Sequence, residues 1–197
     1  MITTEGQYWD FTQLVREQID IAPVEEFVLT NFGREWKYKT FKAGKDEVLQ
    51  VYNYNTCFTC VGGSSADKKE WRSNFNVFPL ENGFIHRGAW NGSNDVYTHP
   101  AFICKKNMYY AGHSRGAWIT AVMIYRFGGR GVGFGSPKAF RKNVDIKYVN
   151  VRNVLDPVTH IVPFFKTVGK VIRYKFAKNP HTKYGDHINR DEVVEWS

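Results

Sequence analysis

The 197-residue sequence has few cysteines, and its odd count of three does not make a disulfide framework. This count fits a reducing compartment better than a secretory one. The opening residues, M-I-T-T-E-G-Q-Y-W-D, lack the positive charge and the apolar core of a signal peptide. No apolar run approaches the roughly 20 residues of a membrane-spanning helix. We therefore expect a soluble protein that stays in the cytoplasm.

Linkers, internal repeats and low-complexity tracts are also missing, so we expect one domain over residues 1–197. A chain of this length can bury a core without help from disulfides or metals. Aromatic residues make up 16% of the sequence and are spread along its whole length. This distribution indicates a folded body throughout.

The net charge of +8 implies attraction to anionic surfaces such as phospholipid headgroups, nucleic acid or an acidic polymer. The charge alone does not choose among them. A solvated basic surface with no dedicated partner explains the same number.

The C-F-T-C spacing of Cys57 and Cys60 invites a metal or redox interpretation. The two residues lie in a run typical of a strand, where residues three apart point to opposite faces. We therefore predict a structural role for both cysteines, and neither a metal nor a cofactor.

Hydrophobic periodicity predicts an α/β fold. Three strand-like runs between Glu35 and Val61 suggest an antiparallel start, and later strands alternate with helices. This order favours a mostly parallel central sheet with helices on both faces. Helices are expected over residues 9–21, 23–33, 92–106, after Ser114, and over the closing D-H-I-N-R-D-E-V-V-E-W. Residues 66–83 suit either a cover over a pocket or a crossover helix.

The central motif is G-H-S-R-G at residues 112–116, between a short apolar run and the helix-compatible A-W-I-T-A-V-M-I-Y. This pattern matches the nucleophile elbow of an α/β-hydrolase. The two glycines let strand and helix approach closely, while the serine is held in a strained turn with its hydroxyl exposed. Ser114 is therefore the candidate nucleophile.

An acid and a base should follow the serine in that order, each at the carboxyl end of a strand. Asp156 closes the β-branched run Y-V-N-V-R-N-V-L and is the expected acid. Asp145 is the alternative, but it precedes that run. Asp186 adjoins His187 and suits a helix N-cap.

His187 follows the last predicted strand and is the expected base. His181 and His160 compete with it, because both also follow Ser114 in the chain. His113 adjoins the nucleophile but should point away from it as a packing residue.

The oxyanion hole needs a backbone N–H from the residue after the nucleophile, which is Arg115. A second donor should come from the loop after an earlier strand. G-G-S-S at residues 62–65 has that placement, and Ser64 offers both an N–H and a hydroxyl. An ordinary glycine turn is the alternative interpretation.

Six motifs in this order resemble the class 3 (fungal-type) lipase family, in particular its small bacterial and bacteriophage members. They are V-G-G-S with D-K-K-E-W, I-H-R-G, G-H-S-R-G, G-F-G-S-P, N-V-L-D-P-V-T-H-I-V-P and a terminal D-H. The similarity runs from about Val48 to the C-terminus. A phage-encoded member would act in the cytoplasm of its host.

The resemblance implies that the family's oxyanion loop falls on residues 61–64, its nucleophile on Ser114, its acid on Asp156 and its base on His187. The family's tryptophan after that loop falls on Trp71. In this sequence Gly62 replaces the family's loop arginine and Arg115 its usual leucine. We expect the second change to place a cation beside the acyl group and to favour anionic or polar esters.

The resemblance further implies a lipase or phospholipase that works through an acyl-enzyme, with a lipid ester as substrate and no cofactor. An anionic membrane surface is a possible partner, and no dedicated nucleic-acid partner is expected. A short-chain or polymer-directed esterase is one alternative. Another is a non-catalytic binding module that uses the basic surface.

Overall fold

The computed structural model describes residues 1–15, 19–62, 80–161 and 164–195. A seven-stranded sheet forms the centre of this part of the chain, and β4 and β5 make a separate small hairpin. The strands, in chain order, are β1 Lys37–Ala43, β2 Asp46–Tyr52, β3 Thr56–Val61, β4 Leu80–Glu81, β5 Ile85–His86, β6 Asn107–His113, β7 Arg130–Phe134, β8 Tyr148–Asn153 and β9 Lys170–Tyr174.

The large sheet has the strand order β1-β2-β3-β6-β7-β8-β9. The pairs β1–β2 and β2–β3 are antiparallel, and all later neighbours are parallel. The predicted mostly parallel sheet with antiparallel N-terminal strands is therefore confirmed. Because parallel neighbours end at the same edge, the carboxyl ends of β6, β7 and β8 bring their following loops together.

Four α-helices flank the sheet in the described part of the chain, and their bounds are α1 Glu5–Gln13, α2 Ile21–Asn31, α3 Arg87–Tyr97 and α4 Arg115–Phe127. A capping box between Thr4 and Gln7 starts α1, and the carboxylate of Asp20 caps α2. Helix α3 begins and ends earlier than predicted, and Thr98 caps it before Pro100. None of the described helices has the length and apolarity needed to cross a bilayer.

The sheet separates two hydrophobic cores. Helices α1 and α2 pack on one face through residues such as Trp9 and Phe11, and α3 and α4 cover the other face through residues such as Trp118. Cys57 and Cys60 point to opposite faces and join different cores, as the strand pattern predicts. Burial raises the pKa of the Cys57 thiol to about 12, so it remains protonated at neutral pH. Both cysteines are packing residues.

The predicted C-terminal helix is wrong. After a 3-10 turn at Tyr184–Asp186, the chain runs back along the start of α1 instead. The N–H groups of Glu5 and Gly6 donate to the carbonyls of Glu192 and Arg190, and the N–H of Val194 donates to the carbonyl of Thr3. Pairing with a distant segment has replaced the helical bonds that local periodicity suggested.

Candidate active site

Ser114 lies in the predicted strand–turn–helix elbow. Strand β6 ends at His113 and helix α4 begins at Arg115, so Ser114 makes the whole turn between them. Its backbone has φ 54° and ψ −122°, a conformation that a residue with a side chain seldom adopts. Its N–H donates to the carbonyl of Phe134 on β7 at 2.9 Å, which fixes the turn against the neighbouring strand. The strained turn is the geometry expected of a nucleophile elbow.

The glycines on either side of the elbow allow the close packing that the motif predicted. A Cβ on Gly112 would lie 2.4 Å from the carbonyl carbon of Gly116, and one on Gly116 would lie 2.0 Å from the carbonyl oxygen of Val61. Both distances are far shorter than a carbon atom tolerates, so only glycine fits at either position. Helix α4 therefore starts directly against the end of β3.

Asp156 follows β8 and is completely buried. Its Oδ1 accepts the N–H of Val158 at 2.9 Å and thereby caps a 3-10 turn at Pro157–His160. Its Oδ2 accepts the hydroxyl of Tyr184 at 2.9 Å and lies 2.8 Å from Nδ1 of His181. The predicted acid is thus held rigidly and is paired with a histidine.

That histidine is His181 and not His187, the residue that the sequence analysis expected as the base. The loop after β9 reaches Asp156 at His181, and the following 3-10 turn carries the chain past the carboxylate before His187 is reached. The His187 side chain is exposed and stacks on Phe176, with ring centroids 4.2 Å apart. His160 is also exposed, and its ring nitrogen contacts the carbonyl of Val154 instead.

Gly135 provides the space in which His181 meets Asp156. A Cβ on Gly135 would lie 3.0 Å from Asp156 Oδ2 and 3.1 Å from His181 Nδ1, and the residue has a positive φ of 58°. Gly135 directly follows Phe134, whose carbonyl accepts the Ser114 N–H. The histidine–aspartate pair therefore lies beside the strand end that holds the elbow.

His113 is buried, as predicted for a packing residue, but it also fixes the position of His181. Its Nε2–H donates to the His181 carbonyl at 2.7 Å, and the two rings lie 4.7 Å apart. The Trp9 and His113 rings also form a T-shaped pair, with centroids 5.4 Å apart. The residue before the elbow thus anchors the loop that carries His181.

Arg115 is buried, and its side chain contradicts the expectation of a cation beside the acyl group. Its Nε and one terminal nitrogen each lie 2.8 Å from a different carboxylate oxygen of Asp46, the first residue of β2. The charge is therefore neutralised inside the protein. The backbone N–H of Arg115 remains in the first turn of α4, where N–H groups have no acceptor within the helix.

Most of the predicted oxyanion loop, including Ser64, lies outside the described residues, as do Trp71 and residues 66–79 of the expected cover. Gly62 is described, and its N–H donates to the carbonyl of Glu47 at 2.8 Å. A Cβ there would lie 2.4 Å from the carbonyl oxygen of Val15. This close contact leaves room only for a glycine at position 62.

Tyr184 is a residue of this site that the sequence prediction missed. Its buried hydroxyl donates to Asp156 and accepts the N–H of Asn153 at 3.0 Å. Burial and the charge of Asp156 raise the pKa of Tyr184, so the hydroxyl stays a donor. The spacing H-T-K-Y, with the tyrosine three residues after His181, was the available signal.

Solved fungal lipases have a similar fold. The lipase of Rhizopus microsporus var. chinensis matches with a TM-score of 0.60 and 14% identity, over 87% of this chain and 73% of that one. The triacylglycerol lipase of Penicillium expansum matches with a TM-score of 0.52 and 12% identity, over 88% and 82%. This chain has the α/β-hydrolase fold. One further match, a triacylglycerol lipase whose catalytic centre is a serine protease triad, has a TM-score of 0.52 and 16% identity, over 71% and 66%.

The sequence matches no family model and no curated protein. In the native propeptide complex of Rhizomucor miehei lipase, the match has a TM-score of 0.59 and 15% identity and covers 85% of this chain. The chain spans only 66% of that lipase and 56% of a deletion mutant of it. At these identities the likeness is one of fold.

Proposed function

We propose that this protein is a serine hydrolase that cleaves carboxylic esters, with Ser114 as nucleophile, His181 as base and Asp156 as acid. The observation that carries the proposal is the strained Ser114 elbow beside the buried His181–Asp156 pair. The serine protease triad of a triacylglycerol lipase with the same fold supports it. His181 replaces the sequence-predicted base, His187.

The contacts of each residue suit its role. With its Nδ1–H donated to Asp156, the His181 ring leaves Nε2 to take the proton from the Ser114 hydroxyl. The serine oxygen then attacks the ester carbonyl, and His181 returns the proton to the leaving alcohol. Water hydrolyses the resulting acyl-enzyme by the same steps, so no cofactor is required.

The negative oxygen of the tetrahedral intermediate needs preorganised donors. We assign the Arg115 N–H to this role, because it opens helix α4 directly after the nucleophile and carries the positive end of the helix dipole. Ser64 remains the proposed second donor on the basis of the sequence. The ion pair with Asp46 fixes the Arg115 side chain and so helps to hold the Arg115 backbone N–H in place.

A lipid or phospholipid ester is the proposed substrate, and an anionic bilayer is the proposed surface at which the protein acts. The net charge of +8 supports this, since each basic residue near an anionic surface contributes about 1 kcal/mol. Binding to vesicles should therefore rise with anionic lipid content and fall with salt. Binding that is indifferent to both would contradict the proposed surface.

Covalent labelling with a fluorophosphonate tests the proposed nucleophile. The native protein should be labelled and Ser114→Ala should not, while the control Ser136→Ala keeps its label because that buried hydroxyl donates to the Pro137 carbonyl. Absence of label on the native protein would favour a binding module.

Rates on nitrophenyl esters of increasing chain length, with and without an interface, separate a lipase from a short-chain esterase.

A further inference from the structure

Three basic residues gather at the carboxyl end of the sheet, and we call Lys138, Arg152 and Lys166 the cation cluster. Lys138 and Arg152 are half-buried, and Lys166 is exposed. The N–H of Lys166 donates to the carbonyl of Phe140 at 2.6 Å, and the two residues form a β-bridge. The segment that carries Lys138 therefore lies alongside the segment that carries Lys166.

Arg152 joins the cluster from β8. One terminal nitrogen donates to Thr167 Oγ1 at 2.5 Å, and the other donates to the Thr159 carbonyl at 2.6 Å. The first bond reaches the residue next to Lys166. The second reaches the 3-10 turn that Asp156 caps. Arg152 is thus fixed between the cluster and the loop of the proposed acid.

The cluster has no counter-ion among the described residues. No carboxylate there lies within 4.0 Å of a nitrogen of Lys138, Arg152 or Lys166 to form an ion pair. Asp156 acts on Arg152 electrostatically, but its oxygens are occupied by His181, Tyr184 and Val158.

Without a counter-ion, the Lys138 ammonium lies in an electrostatically unfavourable environment. Burial, together with the charges of Arg152 and Lys166, lowers the pKa of the Lys138 ammonium. Cations that are half-buried and close to like charges are unfavourable unless an anion neutralises them. An anionic ligand at this place would remove that cost.

Two members of the cluster follow or precede parts of the proposed site by a few residues in the chain. Lys138 follows the Gly135 turn, which begins at the β7 end that accepts the Ser114 N–H, and Arg152 precedes Asp156 by four residues. Arg115 forms an ion pair with Asp46, whereas Lys138 and Lys166 form no ion pair with a carboxylate of the described residues. The charges of Lys138 and Lys166 therefore remain available to an anionic ligand.

We propose that the cation cluster binds a phosphate group carried on the alcohol side of the ester, which makes a glycerophosphate ester the preferred substrate. This rests on the proposed function and specifies its substrate class. A phosphate presents several acceptor oxygens and up to two negative charges, which suits contact with two ammonium groups. Arg152 positions the cluster through its two bonds, and Lys138 and Lys166 supply the direct contacts.

Monomeric substrates test the proposal without a membrane. The kcat/KM of the native protein is measured for dibutyrylglycerol 3-phosphate and for uncharged dibutyrylglycerol. The ratio of the two should exceed ten and should fall at least fivefold in the K138Q/K166Q double variant. The control K106Q/K147Q removes the same charge from exposed positions before β6 and β8, at the opposite edge of the sheet. It should change the ratio less than twofold.

An unchanged ratio in K138Q/K166Q, or an equal fall in K106Q/K147Q, would overturn the phosphate site while leaving ester hydrolysis intact. Failure of the native protein to hydrolyse either ester would overturn the proposed function as well. Inorganic phosphate separates a bound headgroup from a free ion. It should raise the KM for the phosphate ester more than that for the uncharged one, whereas phosphate binding without any preference for the phosphate ester would contradict the proposal.

Discussion

The guanidinium of Arg115 and the carboxylate of Asp46 form a bidentate pair, with both N–O distances at 2.8 Å. Only 8% and 1% of the two side chains are exposed. The pair ties the residue after the elbow serine to the start of β2, far from it in sequence. Because the backbone N–H of Arg115 is the proposed oxyanion donor, a contact deep inside the fold supports the proposed catalytic geometry.

Removing one partner of the Arg115–Asp46 pair should destabilise the protein strongly. Asp46→Ala leaves the buried Arg115 charge without a counter-ion, and we expect a loss of about 3–5 kcal/mol in the free energy of unfolding. The double variant Asp46→Ala/Arg115→Leu should recover part of that loss. Urea unfolding measures both. The exposed Asp10–Arg190 pair is the matched control, since Asp10→Ala should cost less than about 1 kcal/mol. Equal losses in the two alanine variants would contradict the account.

The Tyr184 hydroxyl should stabilise both the fold and the Asp156 orientation. Tyr184→Phe leaves the buried Asp156 carboxylate with one donor fewer, so unfolding should become easier by about 2 kcal/mol. The kcat should fall as well, because His181 shares the same carboxylate oxygen. Tyr148→Phe removes a bond to the neutral Ala117 carbonyl, and its smaller expected loss of about 1 kcal/mol provides the comparison. A Tyr184→Phe protein with native kcat would show that the bond has no effect on the site.

Gly116 in α4 and Gly128 at its C-terminal end should respond differently to substitution by alanine. Gly116→Ala places a Cβ 2.0 Å from the Val61 carbonyl, so strand and helix must separate at the elbow. We expect a loss of about 3 kcal/mol or more and a large loss of esterase activity. Gly128→Ala meets no atom within 4 Å and suffers only from its backbone conformation, φ 77° and ψ −169°, for about 1–3 kcal/mol. Thermal unfolding and ester hydrolysis should rank the variants in this order, and the reverse order would refute the role given to Gly116.

Because burial raises the pKa of the Cys57 thiol, we expect the protein to lose stability at alkaline pH. Its ordinary pKa of 9.0 is raised by burial to about 12, so between these values only the unfolded chain ionises. The contribution is complete below pH 9 and is lost as the pH rises toward 12, with a slope of at most about 1.4 kcal/mol per pH unit. Unfolding at several pH values should show a flatter decline for Cys57→Ala than for the native protein. The control Cys104→Ala removes an exposed thiol and should keep the native slope.

The strands and the elbow were predictable because their signals are local. The β3 run and the run before Ser114 are apolar enough to predict buried strands, and the two glycines of G-H-S-R-G limit the turn to one geometry. The end of the chain was not predictable in this way. Its backbone bonds go to residues 3–6, and no local periodicity reports a partner so far away in sequence.

For a related reason, the sequence did not show that His181, and not the expected His187, lies beside Asp156. Order along the chain places both after the last strand, and only the path of the loop decides which one reaches Asp156. That path depends on the His113 contact with the His181 carbonyl and on Tyr184 beneath the carboxylate. The Arg115 side chain was expected beside the acyl group because the sequence gives no sign of its partner, Asp46, which lies on a strand distant in sequence.

The rate of fluorophosphonate labelling of Ser114 in histidine variants tests the central claim most directly. His181→Ala should slow labelling and ester hydrolysis by about 1,000-fold, since a general base contributes roughly 10²–10⁴-fold. His187→Ala removes only an exposed ring stacked on Phe176, so it should stay within about threefold of native. Circular dichroism confirms that both variants fold. Slow labelling in His187→Ala with a native rate in His181→Ala would contradict the assignment of His181 as the base.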